Sequence, residues 1–263
     1  MIKKISLFIF AAFLLFVALV AADILFFPIS KDRLDYFQRL IVDQIDKKWE
    51  AKLDSLSDDD KKLVGYDEMM NSLSFVDRKF AERIFSINPA DLGFKGPFFS
   101  KDPASGFEML PAKKLNWQGE EIDTGINFLP QPVFEDYGKM MQAMSQDISK
   151  ELFVESGYRS PGYQAWLFFF YLGPENNYSL LENAKWIAMP GYSEHNSSKT
   201  AIDFINADGI SGQDKDQVPQ DFEKLPEYAW LQTNAKKFNF YQTYPQDNNL
   251  GVSFEPWHWH WEK

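Results

Sequence analysis

The sequence predicts an α+β protein: a small, mostly antiparallel sheet with helices packed on one face, joined to a helical extension and an apolar N-terminal helix. Three observations carry this. Beyond residue 130, short strand-like runs alternate with helical patterns. Residues 32–53 and 74–87 carry apolar residues every three or four positions, as amphipathic helices do. Between them and the alternating region, residues 91–131 are punctuated by Gly, Pro and aromatic residues, the signature of short strands and turns.

The elements follow in order. Lys3 and Lys4 precede an apolar run from Ile5 to Ala22, broken only by Ser6. This reads as a secretory signal or signal anchor with the lysines left in the cytoplasm. The Val20-Ala21-Ala22 stretch suits cleavage, but apolar character resumes after Asp23, which favours an uncleaved anchor. Either way, the chain beyond about residue 30 is expected outside the cytoplasm: in the cell envelope, anchored in the inner membrane facing the periplasm, or secreted. In 32–53 the expected apolar face is Leu34, Phe37, Ile41, Ile45 and Trp49. Ser57 followed by three aspartates marks a helix start, with acids at the positive end of the helix dipole. The helix over 74–87 ends at Asn88-Pro89. Both helices read as a packing or spacer module. Pro132 suits a first helical position, and Val133, Tyr137, Met140, Met141, Met144 and Ile148 form the next apolar face. Its methionines read as core filler. Strands are expected at 152–156, 185–189, 200–205, 238–241 and 252–261, with helices at 162–172 and 226–237 and a polar loop over 206–220. The domain reading is 1–28 signal or anchor, 29–130 helical and irregular extension, and 131–263 catalytic domain.

Net charge is −11. An acidic chain gains nothing from polyanion attraction, so nucleic acid is excluded as an expected partner. Cysteine is absent. That removes disulfides, thiolate metal sites and cysteine nucleophiles.

The chemistry concentrates in the three histidines. His258 and His260 lie in the closing segment Glu255-Pro256-Trp257-His258-Trp259-His260-Trp261, and His195 lies in Gly191-Tyr192-Ser193-Glu194-His195. If the closing segment is extended, its tryptophans face one side and its histidines the other. Neighbouring same-face residues are roughly 6.5–7 Å apart, whereas zinc–nitrogen bonds are about 2.0–2.1 Å. Either histidine is a candidate ligand, and one from this strand with others from elsewhere is the easier geometry. Asp203 is the single carboxylate in the apolar run Ala201-Ile202-Asp203-Phe204-Ile205, where burial is costly unless it is paired or metal-bound. Two histidines and a carboxylate make a three-ligand site with an open position, and Glu255 is placed to act as base beside it. Glu194 and Lys199 read as solvated.

Four motifs in order then resemble the VanY-type D-alanyl-D-alanine carboxypeptidases, zinc enzymes that trim peptidoglycan stem peptides. They are Ser156-Gly157-Tyr158-Arg159-Ser160 with Tyr163-Gln164, Pro190-Gly191-Tyr192-Ser193-Glu194-His195, Ala201-Ile202-Asp203, and Glu255-Pro256-Trp257-His258. The segment 230–235 also resembles the family's helix before the last strand. The resemblance covers about 130–263 and implies the zinc DD-peptidase, Hedgehog-like fold. It implies that His195, Asp203 and His258 bind zinc, and that Glu255 is general base and proton donor. It implies further that Arg159 stabilises the oxyanion or grips substrate, and that Gln164 and Ser193 line the substrate site. The implied substrate is a peptidoglycan stem peptide, cleaved at its terminal D-alanine. Endopeptidase or dipeptidase action on the same fold, or a non-catalytic zinc-containing wall-binding module, are the alternatives. Two departures stand out. Asp203 is eight residues after His195 where the family has seven, with Ser198 at the family's Gly position, and His260 stands where the family commonly has Arg. His260 is therefore expected to support the site without binding metal.

Overall fold

The computed structural model describes residues 26–197, 200–214 and 216–263. The apolar run 5–22, the expected signal or anchor, lies outside the described residues. Among those described, no helix is long and apolar enough to cross a membrane.

The extension is helical: α1 (Tyr36–Asp54), α2 (Asp58–Lys61), α3 (Tyr66–Asn71) and α4 (Phe75–Phe85), followed by a 3-10 turn at Pro89–Leu92. Asp35 caps α1 by accepting from the Gln38 amide, and Ser74 caps α4 by accepting from the Asp77 amide. The buried stripe of α1 is Gln38, Val42, Ile45, Trp49 and Leu53, with Phe37 and Ile41 only half-buried. The stripe is thus rotated slightly from the expected one. The six-residue α3 fell within a stretch with no readable periodicity.

Two antiparallel hairpin pairs follow, β1 (Phe107–Leu110) with β4 (Asn127–Pro130), and β2 (Lys114–Trp117) with β3 (Glu120–Asp123). Helix α5 (Gln131–Ile148) buries Val133, Met140, Met141 and Met144, so its methionines are core filler as expected. Then come β5 (Leu152–Ser156), α6 (Pro161–Leu172), the short α7 (Leu180–Asn183) and β6 (Ala201–Asn206). The chain closes with α8 (Pro219–Glu223), α9 (Pro226–Asn234), β7 (Phe240–Gln242) and β8 (His258–Trp261).

The central sheet has the order β5-β6-β8-β7, and every pair is antiparallel. Side chains alternate across it. Ile202 and Phe204 of β6 and Trp259 and Trp261 of β8 enter one apolar core with α5 and α9. Asp203 and His258 therefore face the other side. A second core joins the extension to α6 and α7, with Trp49, Phe80 and Met69 packed on Phe168 and Phe169. Trp49 is fully buried; its Nε1 donates to the Met69 carbonyl at 2.8 Å and its ring meets Phe169 edge-on at 5.2 Å.

Two strand expectations are corrected. Residues 185–189 are not a strand: the Lys185, Trp186 and Ile187 amides turn back to the Glu182 and Asn183 carbonyls and prolong the end of α7. The closing strand begins only at His258. Before it, the Ser253 amide bonds the Lys185 carbonyl and the Glu255 amide bonds the Tyr244 carbonyl. The chain is thus tied to loops there, not to a neighbouring strand, and Glu255 sits at the start of a turn.

Candidate metal centre

Sheet register assembles the site. Asp203 on β6 is the direct cross-strand partner of His258 on β8, so both side chains project from the same face a few ångströms apart. His258 Nδ1 lies 2.9 Å from Asp203 Oδ1. His195 comes from a 3-10 turn, Glu194–Asn196, whose start is capped by Ser193 Oγ accepting from the His195 amide. Its Nε2 lies 3.2 Å from Asp203 Oδ2. The three residues offer ligand atoms that all lie within 4.8 Å of one another. The longer spacing between His195 and Asp203 thus leaves the ligand set together. Thr200 bonds back to the Ser197 carbonyl and to the His195 carbonyl.

The donor set fits a metal. His195 Nδ1 is 2.7 Å from the Gly157 carbonyl oxygen, which fixes it as the protonated nitrogen and leaves Nε2 as the lone-pair donor. That Nε2 is buried without a hydrogen-bond partner, the condition of a ligand atom awaiting a cation. Burial and the nearby Arg159 charge bring the His195 ring down to about 4, so it is neutral, as a ligand must be. Asp203 is fully enclosed; burial alone raises its carboxyl, but His195 and His258 hold it well below the usual carboxylate range. Burial opposes charging of His258, yet its bonds to Asp203 and Glu194 prevail and raise it to about 10. A metal at Nδ1 therefore competes with a proton. Two histidines and one carboxylate suit zinc.

Glu194 corrects the sequence reading. Its Oε2 lies 2.8 Å from His258 Nε2 and also accepts from Thr243 Oγ1 at 2.7 Å; Thr243 Oγ1 in turn is 2.7 Å from His260 Nδ1. Glu194 is thus the partner that fixes the second nitrogen of His258, and His260 stands behind it, away from the ligand cluster. Glu194 and its partner are distant in sequence, so only its place beside His195 offered a signal. Tyr244, equally unread, lays its ring 4.7 Å from that of His258.

The other predicted residues surround the cluster. Glu255 Oε2 is 3.9 Å from His258 Nδ1, and burial pushes its carboxyl up to about 8 against the pull of His258. Arg159 is anchored through its backbone: its amide donates to the His195 carbonyl, and its own carbonyl accepts from Asn196 Nδ2 at 2.6 Å. Its Nε is buried with no partner. Gln164 donates to the Ala188 carbonyl at 2.8 Å, which leaves its buried Oε1 unpaired. Arg159, Gln164, Ser193 and Glu255 all line one cavity with the ligand cluster.

The extension holds the turn that carries Arg159. Ser160 donates its amide to the Lys62 carbonyl and its hydroxyl to the Val64 carbonyl, at 2.8 and 2.6 Å. Gly162 lies so close that a Cβ there would meet Val64 O at 2.3 Å. Lys62 Nζ donates to Asn127 Oδ1, which also accepts from the Gly157 amide.

Fold and site together define a class: a small α+β domain presenting a buried His/Asp/His metal centre with a carboxyl and a guanidinium beside it. Comparison with known proteins agrees. The model of the VanY D-alanyl-D-alanine carboxypeptidase family matches residues 127–263, and the chain belongs to that family. A D-alanyl-D-alanine carboxypeptidase of Enterococcus faecalis (strain ATCC 700802 / V583) is 40% identical over 80 residues, which are 30% of this chain and 25% of the relative. One from Enterococcus faecium is 27% identical over 140 residues, 52% of this chain and 38% of the relative. The chain thus spans well under half the length of either. Among solved structures, VanYB in complex with D-alanine-D-alanine aligns with a TM-score of 0.42 at 24% identity, covering 62% of this chain and 83% of that one.

Proposed function

We propose that the protein is a zinc-dependent peptidase of peptidoglycan stem peptides that removes a terminal D-alanine. The observation that carries this reading is the convergence of His195, Asp203 and His258 beside Glu255 and Arg159 in one cavity. A zinc ion held by these three side chains supplies Lewis acidity, polarising a carbonyl and acidifying water. Glu255 is poised near neutrality by its burial, so it can take a proton from the attacking water and pass it to the departing amine. Arg159, with Nε unpaired, offers its guanidinium to the negative oxygen that develops on the scissile carbonyl or to the substrate carboxylate. Gln164 presents an unpaired oxygen to a substrate N–H, and Ser193 lines the cavity while capping the His195 turn.

The cavity shapes favour a carboxypeptidase over an endopeptidase. A space of about 60 Å³ lies against the cluster, and a larger one of about 460 Å³ shares Arg159, Asp203, Glu255 and Trp186 with it. A small terminal residue fits the first and the rest of a peptide the second. The basic-then-apolar start of the chain supports work outside the cytoplasm with the N-terminal segment in the membrane. The test incubates purified full-length protein and zinc with a stem pentapeptide. Release of D-alanine supports the reading, whereas cleavage only at an internal bond supports the endopeptidase. No cleavage by protein with zinc bound supports a non-catalytic module.

A further inference from the structure

The small cavity beside the metal cluster is lined in part by a residue from outside the family-matched region. Phe94 lies ahead of residue 127, on the link between the helical extension and the hairpins, yet it lines the cavity with Glu255, Gln164 and His195. Ala184, Trp186, Ile187, Ala188, Val252 and Trp257 are among its other apolar lining residues. The polar groups of the cavity suit a peptide end; the apolar wall suits a side chain. A free volume of about 60 Å³ suits a small side chain.

Phe94 is built in, not draped over the site. It is 4% exposed. The preceding 3-10 turn ends at Gly93, whose φ of 90° lies in the left-handed region and redirects the chain towards the cavity. The Phe94 amide then bonds the Pro89 carbonyl, and the Lys95 amide bonds the Leu250 carbonyl at 2.8 Å. Gly251 lies so close that a Cβ would sit 1.9 Å from Gly93 O. The ring meets Tyr192 edge-on, with centroids 6.1 Å apart and planes at 85°. Tyr192 belongs to the segment that carries His195. The backbone around Phe94 is thus tied to the extension and to the loop before Glu255, and its ring meets the turn before His195.

We infer that Phe94 is a specificity-determining residue: it limits the terminal residue accepted by the site to one with a small side chain. This rests on the carboxypeptidase reading above. The extension then does more than pack; it supplies the wall that sets which C-terminal residue is removed. A fixed aromatic wall excludes added methylenes by overpacking, and each methylene in such a pocket is worth about 10–200-fold in selectivity.

The test uses full-length zinc-loaded protein and two acylated peptides that differ only in ending D-Ala-D-Ala or D-Ala-D-Leu. Release of the free D-amino acid gives kcat/KM for each. Wild type favours the first. Phe94→Ala narrows the ratio by about 10-fold or more through gain on the D-Leu substrate, and Phe94→Leu, which keeps an apolar filler, narrows it less. Zinc content and thermal melting confirm that both variants are folded. Binding of the same peptides to the variants on a Glu255→Gln background reads the shift without turnover. Selectivity unchanged within about twofold in the folded variants, with wild type active on D-Ala-D-Ala, overturns the inference alone. Wild type inactive on both peptides removes the carboxypeptidase reading and this inference with it.

Discussion

Removing Glu194 should weaken zinc binding without unfolding the protein. The carboxylate holds His258 Nε2 at 2.8 Å, and the pair is largely screened from water, the side chains being 15% and 4% exposed. A hydrogen bond to a charged group in such a setting is worth about 1.5–3 kcal/mol. Not all of that reaches the metal, because Asp203 still contacts Nδ1 of the same ring at 2.9 Å. Loss of an outer partner of a ligating histidine typically costs 10–100-fold in metal affinity, which corresponds to about 1.4–2.7 kcal/mol. Glu194→Ala is expected in the upper part of that range. It also strips the Thr243 hydroxyl of its acceptor. Glu194→Gln keeps an acceptor oxygen but loses the charge, and is expected in the lower part. Competition with a chromophoric chelator at constant pH measures the zinc dissociation constant, and melting of the metal-free proteins controls for folding. A dissociation constant for Glu194→Ala within twofold of wild type would refute the assignment of this carboxylate as the support of His258.

Three further outcomes are expected. Glu255→Gln retains zinc, because it removes no ligand, but lowers kcat by about 10²–10⁴; full activity would exclude it as the proton carrier. Gly162→Ala places a methyl 2.3 Å from Val64 O, so the melting temperature falls by an amount matching about 1–3 kcal/mol; an unchanged melting temperature would show that the extension does not press on the Arg159 turn. Burial, aided by the Arg159 charge, brings the Lys62 ammonium down from 10.5 to about 8. Between those values the unfolded chain holds a proton that the folded one has lost, so stability rises with pH. Measured as the difference from Lys62→Met, wild type should gain unfolding free energy as pH rises from about 8 towards 10.5; a flat difference would place this amine in water.

Local pattern carried the long elements. α1, α4, α5 and α6 each show enough turns for helical spacing to be read, and the Met stripe of α5 is the core filler its spacing implies. The alternation of Trp and His also foretold which faces of β8 meet the core and the site. Short or exchanged pairings were not legible. α3 has too few residues to display a period, and the apolar run 185–189 resembles a strand until its amides are seen bonding back into α7. The alternation over 252–261 reads as one strand, but the Glu255 amide bonds the Tyr244 carbonyl and strand pairing begins only at His258. Glu194 defaulted to solvent because a charged side chain is seldom buried without a partner, and its partner comes from a distant strand. Phe94 is the same case: nothing near it in sequence is catalytic, and only the contact of its link with residues 250–251 brings it to the cavity.

The central claim is tested most directly by D-alanine release from a stem pentapeptide by the purified full-length protein, with metal removed and then restored. The account predicts no release from the metal-free protein, release on addition of about one equivalent of zinc, and none from the zinc-loaded Glu255→Gln variant. Release that persists without metal, or a zinc-bound wild type that leaves the pentapeptide intact, would contradict it.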